Sequence, residues 1–507
     1  MIAYSKSFIP LGFTASLIEI EGDKSRGLPS FNIVGMAAKT VSEARERVKS
    51  ALHSSGFSFP TEKLTINLAP ADLAKDGSYL DLAIAINILI LSEQLRQEDV
   101  KDSAFIGELS LSGELRPVRG IINLSESAKA AGIKHLFIPV KNFTQASLIE
   151  GINLVPVSNL QELHLYLKHQ ATISPPEQSV VKNTTTDSNL PNFNQIRGQD
   201  LAKRALTIAV AGHHNILLSG PPGTGKTMLA KAALSLLPPL SNLEQISVTK
   251  LHSLAGVASN IVTNRPFRTP HHTSSLVAVI GGGPKAEPGE ISLASSGVLF
   301  LDELPEYPRS ILESLRQPLE DRQISISRVG RKITYPADFM LIATMNPCPC
   351  GYLGDSAHPC TCTASQIQVY QKKLSGPLLD RIDMFSEVGR IETSKLLSST
   401  TQKGTDLNVV KNTITDALSF QAARYGNTTT FNATVPVHEI PTKFRLSPTA
   451  KKLLDTAASS LDLSARSYFK VIKVARTIAD LASADIIDTV HITEALSYRY
   501  KPAKNAL

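Results

Sequence analysis

Over the first 165 residues, short runs of alternating apolar and polar positions predict strands: SLIEIEG at 16–22, KLTINLAP at 63–70, SAFIGELSL at 103–111 and HLFIPV at 135–140. Between them, helical periodicity appears around 40–55, 80–95 and 123–132. The alternation predicts an α/β or α+β domain over 1–168. Residues 169–190 lose all periodicity and are rich in Ser, Thr, Pro and Asn, which predicts a linker. A second α/β block follows over 191–395, with a strand, a glycine-rich turn and a helix in succession, then strands expected at 246–249, 298–301 and 339–344. The polar segment 396–440 carries one helical stretch, about 406–424, and 441–507 is helical in pattern.

The 507 residues suit two to four domains, and 42% hydrophobic content excludes a disordered chain. A net charge of +7 permits a polyanionic partner without selecting one. With no Trp in the chain, base stacking would fall to Tyr, Phe or Arg. The most apolar stretch, LDLAIAINILIL at 80–91, is interrupted by Asp81 and Asn87 and is too short to span a bilayer. No secretory signal is visible at the N-terminus, and the expectation is a reducing, cytoplasmic compartment with no membrane partner. All 4 Cys fall within 348–362, which excludes a disulfide scaffold and directs attention to metal or local redox chemistry.

The strand NILLSG runs into Gly220-Pro221-Pro222-Gly223-Thr224-Gly225-Lys226-Thr227 and then the helical MLAKAALSLL. This strand–loop–helix context with G-x-x-x-x-G-K-T is a phosphate-binding P-loop. Its glycines let backbone N–H groups turn onto a phosphate at a helix N-terminus. Lys226 is expected at the β- and γ-phosphates, and Thr227 offers its hydroxyl to Mg²⁺. The apolar run GVLFLDE ends in Asp302 and Glu303, placing two carboxylates at the ligand-binding edge of a sheet. Asp302 is expected to help hold Mg²⁺ and Glu303 to polarise the attacking water. FMLIATMN ends at Asn346, and Arg381 stands between Asp380 and Asp383 after a helical segment. Alone, these two would be turn chemistry and a surface ion pair.

In this order, and followed by a helical domain, the four elements resemble the AAA+ ATPases. That resemblance implies Asn346 as sensor 1, Arg381 as an arginine finger reaching a neighbouring subunit's ATP, and Arg466 in LSARSYFKVIKVAR as sensor 2 in a helical lid. RPFRTPHHTSSLVAVIGGGPKAEPGEISLASSGVLFLDELPE at 265–306, with SLRQPLEDRQISISR and MNPCPCGYLGD, looks like the magnesium-chelatase-like ComM/YifB group over almost the whole chain. The resemblance implies an insertion within about 260–295 and a hairpin before sensor 1, about 323–336. It also implies a homo-hexameric ATP- and Mg²⁺-dependent DNA motor, a branch-migration helicase acting on recombination intermediates in natural transformation. The alternatives are the ATPase subunit of a chelatase or of a protein-remodelling complex.

The hairpin is legible on its own: QISISRVGRKITYPA has two alternating runs joined at Val329-Gly330, with Arg328, Arg331 and Lys332 at the tip. Such a tip suits a phosphate backbone, branched or single-stranded, although a solvated turn reads the same way. Lys285 in the glycine-rich insertion is a second candidate for DNA. His271 and His272 suit packing better than metal ligation. Cys348, Cys350, Cys360 and Cys362 form CxC–x9–CxC, a set able to close a tetrahedral zinc site, with His358 available in place of one thiolate. The alternative is four reduced, unmetallated cysteines.

Two N-terminal segments, 74–81 and 106–142, resemble the Lon protease domain, implying a ribosomal S5 domain 2-like α+β fold. Tyr79 occupies the nucleophile position, Ile122 the base position, and Ser78 falls one place early. An isoleucine cannot activate a hydroxyl, so a non-proteolytic binding or assembly module is expected.

Overall fold

The computed structural model describes residues 1–500 apart from 36–38, 74, 76, 177–192, 284–285, 329–330, 356 and 391–406. Its N-terminal half is built on a long antiparallel hairpin, Ile2–Leu11 and Thr14–Ser25. Lys63–Ala69 pairs antiparallel with the second of these strands, and Ser30–Val34 adds a parallel edge. The helix Asp81–Leu91 packs across the hairpin with every residue buried. That explains its nearly all-apolar pattern, since a helix covered all round needs no polar face. Asn87 inside it is accommodated because its amide donates to the carbonyls of Ala3 (3.1 Å) and Ile20 (2.9 Å). A second, parallel sheet joins Ser103–Phe105, His135–Pro139 and Asn153–Val157. The helix Ile121–Ala130 lies over the junction with the hairpin.

The central block holds a five-stranded parallel sheet in the spatial order Phe267–Arg268, Val298–Leu301, Met340–Met345, Ile216–Ser219, Met384–Glu387. Numbered along the chain, that order is 5-1-4-3-2 read from the other edge. The runs VLFL and MLIATM are buried at every position, as strands covered on both faces must be. The C-terminal helices share the core: Leu407–Tyr425 and Ala465–Leu481 pack on Asp200–Gly212 and join one apolar cluster with Ile216, Leu218 and Ile342.

Residues 246–249 depart from expectation. The ISVT run is not a strand but the middle of a helix, Asn242–Leu254. A reciprocal capping box starts it: Ser241 Oγ accepts from Glu244 N (3.3 Å) and Glu244 accepts from Ser241 N (2.8 Å). Tertiary contacts then override the β-branched propensity, because this helix is where the N-terminal domain docks. Ser253 Oγ accepts from Gly120 N (3.2 Å) and donates to Gln145 (2.8 Å). Lys250 pairs with Glu126, and its ammonium lies 4.1 Å from the centre of the Phe13 ring.

The hairpin expected at 323–336 is present, Gln323–Arg328 antiparallel to Arg331–Pro336. Its outer strand faces the N-terminal β-turn across a cleft of about 420 Å³ lined by Leu11, Phe13, Thr14, Lys332, Ile333 and Thr334. Among the described residues, no helix is long and apolar enough to cross a membrane.

Candidate nucleotide site and its surroundings

Strand register brings the site together. Leu301 lies opposite Ala343, and Ser219 lies opposite Met345. The residues that follow, Asp302, Thr344, Asn346 and Gly220, therefore crowd one edge of the sheet, where open α/β sheets bind ligands. Gly223 and Gly225 have φ of +77° and +85°, and a Cβ at either would meet nothing within 4 Å. The loop thus presents an open backbone cradle at the start of the helix Lys226–Ala233. Lys226 donates across it to the carbonyls of Gly220 (2.6 Å) and Pro221 (2.8 Å) and to Asn346 Oδ1 (3.2 Å). Burial lowers its ammonium below the usual lysine range, against the opposing pull of Asp302 and Glu303. Thr224 caps the loop from within, its hydroxyl donating to Pro221 O (2.9 Å).

Thr227 Oγ1 donates to Asp302 Oδ2 (3.0 Å), and Thr344 Oγ1 donates to Asp302 Oδ1. A carboxylate held at both oxygens beside a hydroxyl is a fitting donor set for Mg²⁺, a hard cation that takes oxygen ligands. Glu303 takes a left-handed backbone, φ +52°, with its N–H on Thr344 Oγ1 (3.0 Å) and its side chain exposed.

Arg381 and Arg466 are brought together, on another part of the core. Arg381 donates to Arg316 O (2.9 Å) and Pro377 O (2.7 Å) and pairs with Glu320. Arg466 binds the other oxygen of the same Glu320 carboxylate (2.6 Å). The two arginines hold Glu320 below the usual carboxylate range, outweighing its partial burial. The residues after Arg381 are pinned from two sides: Lys470 Nζ, on the helix Ala465–Leu481, donates to Ile382 O (2.8 Å), and Asp383 accepts from Asn215 N (2.9 Å) just before the P-loop strand. Burial pushes Lys470 down to about 8, opposed by Asp383. Burial also acts to raise Asp383, but the His214 hydrogen bond and Lys470 win and hold it at about 2. Sequence reasoning missed Glu320, Lys470 and His214, because each alone is an ordinary helix or loop polar residue. Only the adjacency of Asp383 to Arg381 hinted at a role.

The hairpin places Arg328 opposite Arg331 as the backbone pair closing the turn, with Lys332 next and exposed. Lys285 lies outside the described residues, as does the Val329-Gly330 turn. His271 and His272 lie against each other at a tilt of 33° (4.1 Å between centroids), and His272 also meets Tyr307 edge-on. The four cysteine sulfurs converge: Cys348 lies 3.4 Å from Cys350 and 3.7 Å from Cys360, and Cys350 lies 3.6 Å from Cys360. Cys362 Sγ accepts from Cys350 N (3.4 Å), and all four sulfurs fall within 4.8 Å of one another. His358 packs instead against the Tyr352 ring.

In the N-terminal domain, Lys75 is fully buried and donates to the carbonyls of Pro70 and Leu73. Ser78 donates to Glu108, Ile122 lies in an apolar cluster, and burial pushes the Tyr79 hydroxyl up to about 12.

A parallel sheet in this order, with a P-loop, an acid pair and a strand-tip amide on one edge, defines a P-loop ATPase of the AAA+ class. Three consecutive segments match family models: "Subunit ChlI of Mg-chelatase" over 20–142, "Magnesium chelatase, subunit ChlI" over 192–396, and its C-terminal module over 404–499. Over 503 residues the chain is 42% identical to the competence protein ComM of Haemophilus influenzae, covering 98% of this chain and 97% of that protein. It is 41% identical over 491 residues to YifB of Escherichia coli, covering 96% and 95%. Identity to the chloroplastic magnesium-chelatase subunit ChlI-1 of Arabidopsis thaliana is 26% over 301 residues, 54% of this chain and 66% of that one. The chain belongs to the ComM/YifB family of magnesium-chelatase-like proteins.

Proposed function

We propose that this chain is one subunit of a homo-hexameric, ATP-driven DNA motor that migrates branches in recombination intermediates during natural transformation. The observation that carries the DNA reading is the hairpin, whose turn is closed by paired Arg328 and Arg331 with Lys332 beside them. Three basic residues at the tip of one hairpin suit the charge of a phosphate backbone and need no base reading. The competence protein among its relatives supports the setting.

Lys226, Thr227 and the P-loop amides bind the nucleotide phosphates, and Mg²⁺ held near Thr227 and Asp302 supplies charge neutralisation there. Glu303 polarises the attacking water and Asn346 orients it. Arg381 serves the nucleotide of the next subunit as an arginine finger, with Arg466, on the same Glu320 carboxylate, as sensor 2, so turnover depends on the ring. The N-terminal domain keeps a Lon-like fold as a docking module without proteolytic chemistry.

ATPase rates with and without forked, Holliday and linear DNAs test the proposal, with stimulation expected to be largest on branched substrates. The chelatase matches favour one second reading, an ATPase subunit of a chelatase-type complex. Stimulation by porphyrin, with none by DNA, would decide for it.

A further inference from the structure

We infer that Cys348, Cys350, Cys360 and Cys362 form a mononuclear tetrathiolate zinc site, and that this site fixes the sensor loop against the P-loop, so that metal occupancy governs nucleotide affinity. The second half of this inference rests on the ATPase reading; the first does not. Zinc–thiolate bonds of about 2.3 Å in a tetrahedron set sulfur–sulfur edges of roughly 3.8 Å. Three of the edges here are 3.4, 3.6 and 3.7 Å. A cubane iron–sulfur cluster binds each thiolate to a different iron and spreads the sulfurs wider than this. Four protein thiolates leave no open position, so the zinc is structural.

The loop needs such a staple. Between Met345 and Ala364 the described chain contains neither helix nor strand, so no backbone ladder holds it. Yet its first residues lie on the nucleotide site. Cys348 follows Asn346 by two residues, and Asn346 accepts from Lys226. Gly351, φ +85°, sits so close to the P-loop that a Cβ there would stand 2.7 Å from Pro222 Cδ and 3.8 Å from Asn346 Cγ. Farther along, Asp355 pairs with Arg390 at 2.7 Å, and Arg390 lies over the Tyr352 ring. Zinc binding, with loss of the four thiol protons, closes the loop around these contacts and holds Gly351 on Pro222.

The test uses the full chain purified without chelator. Elemental analysis should find about one zinc per chain. Cobalt substitution should give thiolate charge-transfer and tetrahedral ligand-field absorption. A folded chain with four titratable thiols and no metal, with disulfides, or with iron–sulfur absorption would overturn the site. Cys360→Ser/Cys362→Ser should lose the metal and weaken binding of a fluorescent ADP analogue roughly tenfold or more. Gly351→Ala, which retains the ligands, should keep its zinc and show the same loss of affinity, with its fold checked by thermal melting. Wild-type affinity in either variant would overturn the coupling. A zinc-loaded wild-type chain that binds no ATP would sink the ATPase reading and leave the metal site standing.

Discussion

The N-terminal domain and the ATPase core treat their polar residues in opposite ways. In the core, Lys226, Asp302 and Asn346 are far apart in sequence and meet at one sheet edge, with Lys226 in hydrogen-bond contact with Asn346. In the N-terminal domain, Lys75, Ser78 and Tyr79 are near neighbours in sequence yet go separate ways. Lys75 is spent on two backbone carbonyls, and Ser78 on Glu108. The lesson is that proximity along the chain is weak grounds for a site, whereas convergence of strand tips, set by register, is strong.

The largest expected effects break the comparison at its core. Lys226→Ala should abolish ATP binding and cut turnover roughly 10³-fold or more, whereas Ser78→Ala should leave turnover unchanged and lower stability by about 1 kcal/mol. A matching loss of turnover from Ser78→Ala would show the N-terminal residues to be part of the same machinery. Arg381→Ala is expected to cost roughly 10³-fold in turnover with ATP affinity retained, and to poison mixed rings with wild-type subunits. Subunit-mixing kinetics linear in the wild-type fraction would argue that the finger does not act across an interface.

A smaller effect separates DNA from nucleotide. Arg331→Glu with Lys332→Glu should weaken DNA binding and reduce the salt slope by about 2, leaving ATP affinity intact; fluorescence anisotropy across a salt series reads both.

The smallest effect contrasts the two regions by pH. Burial pushes His213 down to about 4 from 6.5, so the unfolded chain binds more protons between those values and the core loses stability on acidification through that window. Burial raises Asp81 from 3.8 to about 6 despite its Arg47 partner, so the folded N-terminal domain binds the extra proton and gains stability as pH falls from about 6 to 3.8. Domain-resolved hydrogen exchange at pH 7 and pH 5 should show protection shifting from the core towards the N-terminal domain by of order 1 kcal/mol. His213→Asn, which suits the left-handed backbone at φ +58°, should flatten the core's share.

Local pattern carried most elements because strands and helices there agree with their own period: the buried VLFL strand, the P-loop helix and the hairpin all fall where periodicity puts them. It failed at 246–249, where a capping box and a docked domain made a helix of β-branched residues. The nucleotide site was legible because a P-loop is a local motif whose strand, turn and helix occur in sequence. The Glu320 clamp on Arg381 and Arg466 was not, since its members belong to two separate helices and a turn.

By itself, then, the sequence determined the family, the phosphate-binding loop, the acid pair and a cysteine spacing suited to metal, because each is written in contiguous residues. Only the tertiary structure decided that Asn346 meets Lys226, that the thiols close to tetrahedral distances beside Pro222, and that the two arginines share one carboxylate. Those are facts of strand register, loop closure and domain packing, which join residues from 12 to 146 positions apart and leave no periodic trace along the chain.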